Sequence, residues 1–239
     1  NQLNLEAIPT PDGKYVIDNS NIVIVSNTKD LFIRKQTTKQ TVAVPASINN
    51  ATMVGNPTFY VSAGTERNIT DLPGTEKEVA ELDDLLKQKG WKTDEYTENN
   101  ATEETVKDLQ SPNVLHIATH GFYTKIDPKT AGESLTENEA QLAENPLMKS
   151  GLLLRGAGDV LSKTKFNYNL ESGILTAYEA MNLNLDKTDL VVLSACETGL
   201  GEISNGEGVY GLQRAFLVAG AKVLIMSMFK VDDEATQKL

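Results

Sequence analysis

Cysteine and histidine are the scarcest reactive residues of this chain, which has one cysteine and two histidines among 239 residues. A single cysteine excludes a disulfide within the chain and leaves either a buried, inert thiol or a functional one. Such sparing use of cysteine is common in reducing compartments, so we expect a cytoplasmic protein. Because only Cys196, His116 and His120 can supply thiol or imidazole chemistry, their positions are informative.

Basic residues and long apolar runs are also in short supply. The chain has 22 lysines and arginines against 33 aspartates and glutamates, which gives a formal net charge of −11. This charge repels phosphate backbones and anionic lipids, so we expect neither a nucleic-acid nor a membrane partner. The apolar runs at residues 190–193 and 223–226 are far shorter than the roughly 20 residues that cross a bilayer. With 40% apolar residues, the chain can still bury a real core.

The first 50 residues differ in pattern from the rest. Short strand-like runs at residues 14–17, 21–25 and 41–44 are separated by turn-forming residues, which predicts a small β-rich annex of the same domain over residues 1–50. The main domain is expected over residues 51–239. The chain opens without methionine, and its last residues resemble the start of a helix. We therefore expect a domain excised from a larger protein and truncated at its C-terminal end.

Strand and helix patterns alternate along the main domain. Strand-like runs at residues 58–61, 91–96, 113–118, 151–154, 190–194 and 222–228 are interleaved with helical patterns at residues 75–89, 102–109 and 207–219. Apolar strands between helices predict an α/β fold, a three-layer sandwich with a mostly parallel central sheet and helices on both faces. Ligands of such sheets bind beyond the carboxyl ends of the strands.

The first helical pattern is the most fully specified one. It places Val79, Leu82, Leu85 and Leu86 on one stripe, begins with a T-E-K-E capping box at residues 75–78 and ends at Gly90. A long polar excursion over residues 122–170 is interpreted as surface loops around one strand. It is either a tolerated insertion or a segment at which the protein is gated or nicked.

His120 and Cys196 each lie two residues beyond a predicted buried strand. In a parallel sheet both side chains then emerge at the same edge, where neighbouring strands lie about 5 Å apart. An imidazole beside a thiol can take the proton from sulfur and later protonate a leaving amine, which is the minimum for nucleophilic acyl transfer. The amides of Gly121 and Cys196 can stabilise a developing oxyanion. A small buried core thiol is the alternative for Cys196, but its polar, Gly-rich surroundings favour the nucleophile.

Two other patterns are weighed against this site. Four residues of extended strand separate the Cα atoms of His116 and His120 by about 13 Å, so we expect no metal site and give His116 a structural or supporting role. The sequence G-E-G-V-Y-G at residues 206–211 matches the dinucleotide fingerprint G-x-G-x-x-G. A dinucleotide site needs its glycines immediately after a strand, whereas residues 196–205 intervene here, so helix initiation is favoured.

Four runs of sequence together resemble the CHAT domain family, which is related to caspases and separase. They are V-L-H-I-A-T-H-G at residues 114–121, L-V-V-L-S-A-C-E-T-G-L-G at 190–201, G-E-G-V-Y-G-L-Q-R-A-F-L-V-A-G-A at 206–221 and V-D-D-E-A-T at 231–236. The resemblance covers residues 53–239. It implies a caspase-like fold, a base motif at His120 and Gly121 and a nucleophile at Cys196. It also implies helical repeats upstream in the full-length protein.

The resemblance also bears on substrate preference. Separase-like relatives use an acidic residue after the last strand to receive an arginine, and Asp233 is similar in position, with Asp232 beside it. Carboxylates there would bind a guanidinium group in the substrate-binding pocket, which Ser194 would also line. Capping of a helix that starts near Glu234 is an equally open alternative for the two aspartates.

The sequence therefore predicts a cysteine endopeptidase that cleaves protein or peptide substrates. If Asp233 and Asp232 bind the substrate, the cut bond follows a basic residue. The catalytic residues would be Cys196, His120 and Gly121, and the substrate-binding residues Asp233, Asp232 and Ser194. The chemistry requires no metal and no organic cofactor. Two alternatives stay open: a latent or inactive caspase-like scaffold domain, and a nucleotide-binding domain. The oligomeric state is left open.

Overall fold

The computed structural model describes residues 8–20, 49–123, 145–148, 150–162, 172–195 and 207–226. The chain divides into two compact units, residues 1–47 and 48–239. Within the described parts, no helix combines the length and the apolar character that crossing a bilayer requires.

In the first unit, the described residues form one short helix, α1 (Val16–Asn19), and a bridge between Pro9 and Tyr15. The strand predicted at residues 14–17 is therefore wrong. The Tyr15 N–H donates a hydrogen bond to the Asp18 carboxylate at 2.8 Å, and this bond closes a helical turn instead. The strands predicted at residues 21–25 and 41–44 lie outside the described residues, and the β-rich annex stays a prediction.

The second unit alternates strands and helices. Its strands are β1 (Asn50–Pro57), β2 (Lys92–Glu98), β3 (Val114–Ala118), β4 (Gly121–Tyr123), β5 (Ser150–Leu153), β6 (Ile174–Thr176), β7 (Leu190–Ser194) and β8 (Val223–Met226). Its helices are α2 (Pro73–Gln88), α3 (Glu103–Lys107), α4 (Ala157–Leu161), α5 (Ala177–Ala180) and α6 (Glu207–Val218), with a 3₁₀ turn at Pro146–Met148.

Five of these strands form the central sheet, in the order β2-β1-β3-β7-β8, and every neighbouring pair is parallel. Strands β4, β5 and β6 form a second, antiparallel sheet. The α/β class and the mostly parallel central sheet predicted from the sequence are confirmed. Strand β3 is buried on both faces of the sheet, whereas β7 is buried on one face and half-buried on the other, and this burial accounts for their apolar character.

Successive residues of the central strands point to opposite faces of the sheet. On one face, Met53 of β1 and Ala118 of β3 pack against Val79 of α2. On the other face, residues of β3 and β7 form the largest core cluster with α6; its members include Leu115, Ile117, Val191, Leu193, Leu212 and Phe216. Helices therefore cover both faces, as predicted. The aliphatic residues of β3 stabilise the fold by about 1.5–3 kcal/mol per fully buried side chain.

One strand was placed wrongly by the sequence pattern. The first strand of the sheet is β1, and not residues 58–61. The chain leaves the sheet after Pro57, because the carbonyl groups of Thr58 and Phe59 accept hydrogen bonds from Gly156 and Gly158 at 3.0 and 2.9 Å. Residues 58–61 are thus held at the start of α4 rather than in a sheet.

Helix α2 also differs from its prediction in detail. It begins at Pro73, two residues early, because proline at the first helical position loses no hydrogen bond. The predicted capping box is wrong: the Thr75 hydroxyl donates to the Leu72 carbonyl at 2.8 Å and accepts from the Asn56 N–H at 2.9 Å. Leu85, which the sequence placed on the apolar stripe, is instead 51% exposed.

The predicted start of α3 is confirmed, since the Thr102 side chain caps this helix by accepting a hydrogen bond from the Thr105 N–H.

Close contact between β1 and α2 depends on Gly55. A Cβ atom at this position would lie 2.6 Å from Val79 Cγ2 and 3.0 Å from the Thr75 carbonyl oxygen. We predict that Gly55→Ala lowers the free energy of unfolding by about 1–3 kcal/mol, as overpacking does. Adding Val79→Ala should relieve the clash. The loss of unfolding free energy in the double variant should therefore be smaller than the sum of the two single losses. Urea unfolding of the four proteins tests this, and simple additivity would contradict it.

Candidate active site

The carboxyl ends of β3 and β7 meet at one edge of the central sheet. Ala118 pairs with Ser194, and the Thr119 N–H extends the ladder by donating to the Ser194 carbonyl at 3.2 Å. His120 and Cys196 each follow this pair of residues by two positions along the chain. Cys196 lies outside the described residues, so its approach to His120 stays a prediction.

His120 is held in place by a backbone group. Its side chain is buried, with 5% of the residue exposed, and its Nε2 atom lies 2.8 Å from the carbonyl oxygen of Thr70. Because a carbonyl oxygen only accepts, Nε2 carries the hydrogen of the neutral ring, and Nδ1 carries the lone pair. The Phe59 ring packs beside the imidazole at a centroid distance of 5.3 Å. The ring is thus fixed in the tautomer that can take a proton at Nδ1.

Gly121 begins β4 directly after His120. The Leu153 N–H donates to the His120 carbonyl at 2.8 Å, and Gly121 pairs with Leu152 in the next position of the antiparallel ladder. Hydrogen-bonded and non-hydrogen-bonded pairs alternate in such a ladder, so the Gly121 N–H is directed away from β5. The amide is therefore not used by the ladder, as a donor to a substrate oxyanion would have to be.

Ser194 contacts a glutamate that the sequence pattern assigned only to a helix cap. Its hydroxyl donates to Glu78 Oε2 at 3.2 Å, and Glu78 Oε1 lies 2.8 Å from Nε2 of His116. Both histidine and carboxylate are largely buried, with side chains 8% and 15% exposed. Glu78 therefore ties α2 to β3 and β7, and His116 has the supporting role expected of it.

The signal for Glu78 was present in the sequence but was assigned to a cap. Glu78 lies three residues after Thr75 and four before Leu82, on the stripe of α2 that faces the sheet. An acidic side chain on a buried helix stripe needs a hydrogen-bonding partner, and this indicated a contact between α2 and the sheet. Thr70 gave no comparable signal, because the group that contacts His120 is a backbone carbonyl, which every residue has.

The antiparallel sheet that carries Gly121 is anchored by a buried carboxylate. Glu103 accepts hydrogen bonds from the N–H groups of Ser172 and Gly173, both at 2.9 Å, just before β6. Its other oxygen binds the ammonium group of Lys107, which also binds Glu179. Because β6 pairs with β5 and β5 pairs with β4, this anchor supports the strand that starts at Gly121.

Of the remaining features predicted from the sequence, some lie within the described residues and some do not. Asp232 and Asp233 lie outside the described residues. Strand β7 ends at Ser194 and α6 begins at Glu207, so residues 195–206 separate the strand from the glycine-rich helix start. Within the described parts of the chain, no group of three or more His, Cys, Asp or Glu side chains is arranged to bind a metal ion.

Comparison with known proteins gives a family-level result. The family model of the CHAT domain matches residues 1–239, the full length of the chain. No curated protein is found to match the chain. The matched range includes the four runs of sequence at residues 114–121, 190–201, 206–221 and 231–236, and both strands that meet at the candidate active site.

The contacts of Glu78 predict a stability difference between two glutamates of the same helix. Glu78→Ala leaves His116 Nε2 and the Ser194 hydroxyl without their acceptor, which should lower the free energy of unfolding by about 1–3 kcal/mol. Glu81 is the matched control, because its side chain is 61% exposed and contacts only Lys77 at 3.6 Å among described ion pairs. Glu81→Ala should change the free energy by less than about 0.5 kcal/mol. Equal losses in urea unfolding would contradict this assignment.

Proposed function

The chain belongs to the CHAT domain family, a caspase-like and peptidase-related family, and on that premise we propose that it is a cysteine endopeptidase in which His120 activates Cys196. The observation that carries the proposal is the hydrogen bond between His120 Nε2 and the Thr70 carbonyl. It gives the imidazole the tautomer and the fixed orientation that a general base needs. The adjacency of β3 and β7 supports the pairing with Cys196.

In the proposed reaction, His120 Nδ1 takes the proton of the Cys196 thiol, and the thiolate attacks the carbonyl carbon of the scissile peptide bond. The oxyanion that forms accepts a hydrogen bond from the Gly121 N–H. The imidazolium then gives its proton to the leaving amine, and a thioester is formed. A water molecule, deprotonated by His120, hydrolyses the thioester and restores the thiol. Throughout, the Thr70 carbonyl accepts the Nε2 hydrogen and keeps the ring aligned.

A basic residue before the cut bond fits this proposal best. Carboxylates of Asp233 and Asp232 would receive a guanidinium or ammonium group, and the net charge of −11 favours cationic substrates over anionic ones. Ser194 would contribute to the same pocket from the end of β7. The hydrogen bond from the Ser194 hydroxyl to Glu78 would fix the direction in which that hydroxyl points.

Fluorogenic peptides with Arg, Lys, Asp, Leu or Met before the cut bond test the activity and its preference. We expect cleavage after Arg or Lys, which Cys196→Ala abolishes and His120→Gln lowers by about 10²–10⁴-fold, the usual worth of a general base. Asp233→Asn should lower kcat/KM for the Arg peptide by at least about tenfold and leave the Leu peptide unchanged. Glu81→Gln is the charge-matched control, because the Glu81 side chain is 61% exposed on α2, and it should leave cleavage of both peptides unchanged.

The same proteins distinguish a protease from a latent scaffold. A peptidyl electrophile directed at cysteine should label the unmodified chain and fail to label Cys196→Ala. If no peptide is cleaved and no label is incorporated, the scaffold alternative replaces the proposal. Equal cleavage by the unmodified chain and Cys196→Ala would also overturn it.

Gly121 allows the oxyanion step to be probed without loss of the fold. A Cβ atom at Gly121 would meet Ala195 Cβ and the Gly151 carbonyl at 3.8 Å, which is ordinary van der Waals contact. Gly121→Ala should therefore leave the free energy of unfolding within about 1 kcal/mol of the original. We expect kcat/KM to fall by about tenfold or more, because the methyl group obstructs the approach to the amide. Unchanged cleavage kinetics would remove Gly121 from the site.

A further inference from the structure

The segment between β1 and α2, residues 58–72, contains the Thr70 carbonyl that orients His120. Just before Thr70, the N–H groups of Asn68 and Ile69 both donate to the hydroxyl oxygen of Tyr60, at 2.6 and 2.7 Å. Ile69 and Tyr60 are each only 8% exposed, so this hydroxyl replaces the backbone acceptors that a helix or strand would provide there.

Tyr60 is itself held firmly by its neighbours. The next two residues, Val61 and Ser62, donate their N–H groups to one oxygen of Asp159, both at 2.9 Å. Burial raises the pKa of Asp159, but these hydrogen bonds outweigh it and hold the pKa below its usual range. The Tyr60 ring lies directly against Gly158, where a Cβ atom would approach Tyr60 Cε1 to 2.6 Å.

We infer that Tyr60 is a positioning residue for His120: its hydroxyl fixes Asn68 and Ile69, and thereby the carbonyl group of Thr70 that selects the imidazole tautomer. The contacts run without a gap from the Tyr60 hydroxyl through two consecutive amides to the next residue and on to His120 Nε2. The catalytic consequence of this inference rests on the proposed function, whereas the tautomer does not.

The variant Tyr60→Phe tests the role of the hydroxyl apart from that of the aromatic ring. It keeps the aromatic packing against Gly158 but leaves the two amides without their acceptor. Without that acceptor, the carbonyl of Thr70 is no longer fixed relative to His120. A shift of about 1 Å in a catalytic group lowers activity by about 100-fold, so the effect on the base should be measurable.

The scarcity of histidine makes the tautomer directly observable. ¹⁵N-histidine labelling of the chain gives two imidazole spin systems, from His116 and His120, and His116→Gln assigns them. In the unmodified chain, neutral His120 should show a hydrogen on Nε2. In Tyr60→Phe we expect a mixture of Nε2–H and Nδ1–H forms. Tyr178→Phe is the matched control, because Tyr178 is 45% exposed on α5 and should leave the spectrum unchanged.

Kinetics supply the second measurement. Tyr60→Phe should lower kcat by about 10- to 100-fold with KM changed less than about twofold, because the base and not the substrate pocket is displaced. An unchanged His120 spectrum and an unchanged kcat in folded Tyr60→Phe would overturn the inference. If the chain cleaves no peptide at all, the proposed function fails, and the tautomer measurement alone decides the role of Tyr60.

Hydrogen exchange of the unmodified chain keeps the inference testable if Tyr60→Phe does not fold. The amides of Asn68 and Ile69 lie outside helices and strands, yet their bonds to the Tyr60 hydroxyl should slow their exchange by at least about 100-fold relative to an unfolded chain. Rapid exchange at both amides would overturn the inference. Slow exchange together with the Nε2–H form of His120 would support it.

Discussion

The parallel register of β3 between β1 and β7 is the constraint on which the rest of the structure depends. His116 pairs with Met53 on one side and with Val192 on the other, and this register decides which face each residue of β3 occupies. Leu115 and Ile117 enter the large core, whereas His116 reaches Glu78 on the opposite face. A slip of one residue would exchange these faces and bury an imidazole among aliphatic side chains.

The two histidines of the chain illustrate how the same strand produces two chemical environments. His116 contacts a carboxylate, whereas His120, beyond the strand end, contacts a neutral carbonyl. A carbonyl group orients the ring without adding a full negative charge beside it. The position of His120 at the strand end and its backbone partner together make it suited to proton transfer, while His116 is suited to holding α2 on the sheet.

Much of this arrangement could be predicted from the sequence, and the rest could not for physical reasons. The nearly all-apolar run of β3 and the apolar run of β7 predicted buried parallel strands, and the position of His120 just after β3 predicted its place at their common edge. The place of Cys196 at the same edge stays a prediction. Strand β1 was missed because Thr52, Gly55 and Asn56 dilute its apolar pattern, although Thr52 is buried in the structure. The contacts of Glu78 and of the Thr70 carbonyl join residues far apart in the chain, and local patterns do not report such contacts.

The use of a backbone carbonyl to orient His120 changes which kinds of sequence variation the site can accept. No side-chain substitution at position 70 removes that oxygen, so the identity of the residue there is weakly constrained. The number of residues between Tyr60 and Thr70 is constrained instead, because an added or lost residue would move a different carbonyl into the place beside the imidazole. We therefore expect this stretch to tolerate substitutions better than insertions or deletions, whereas an ordinary surface loop tolerates both.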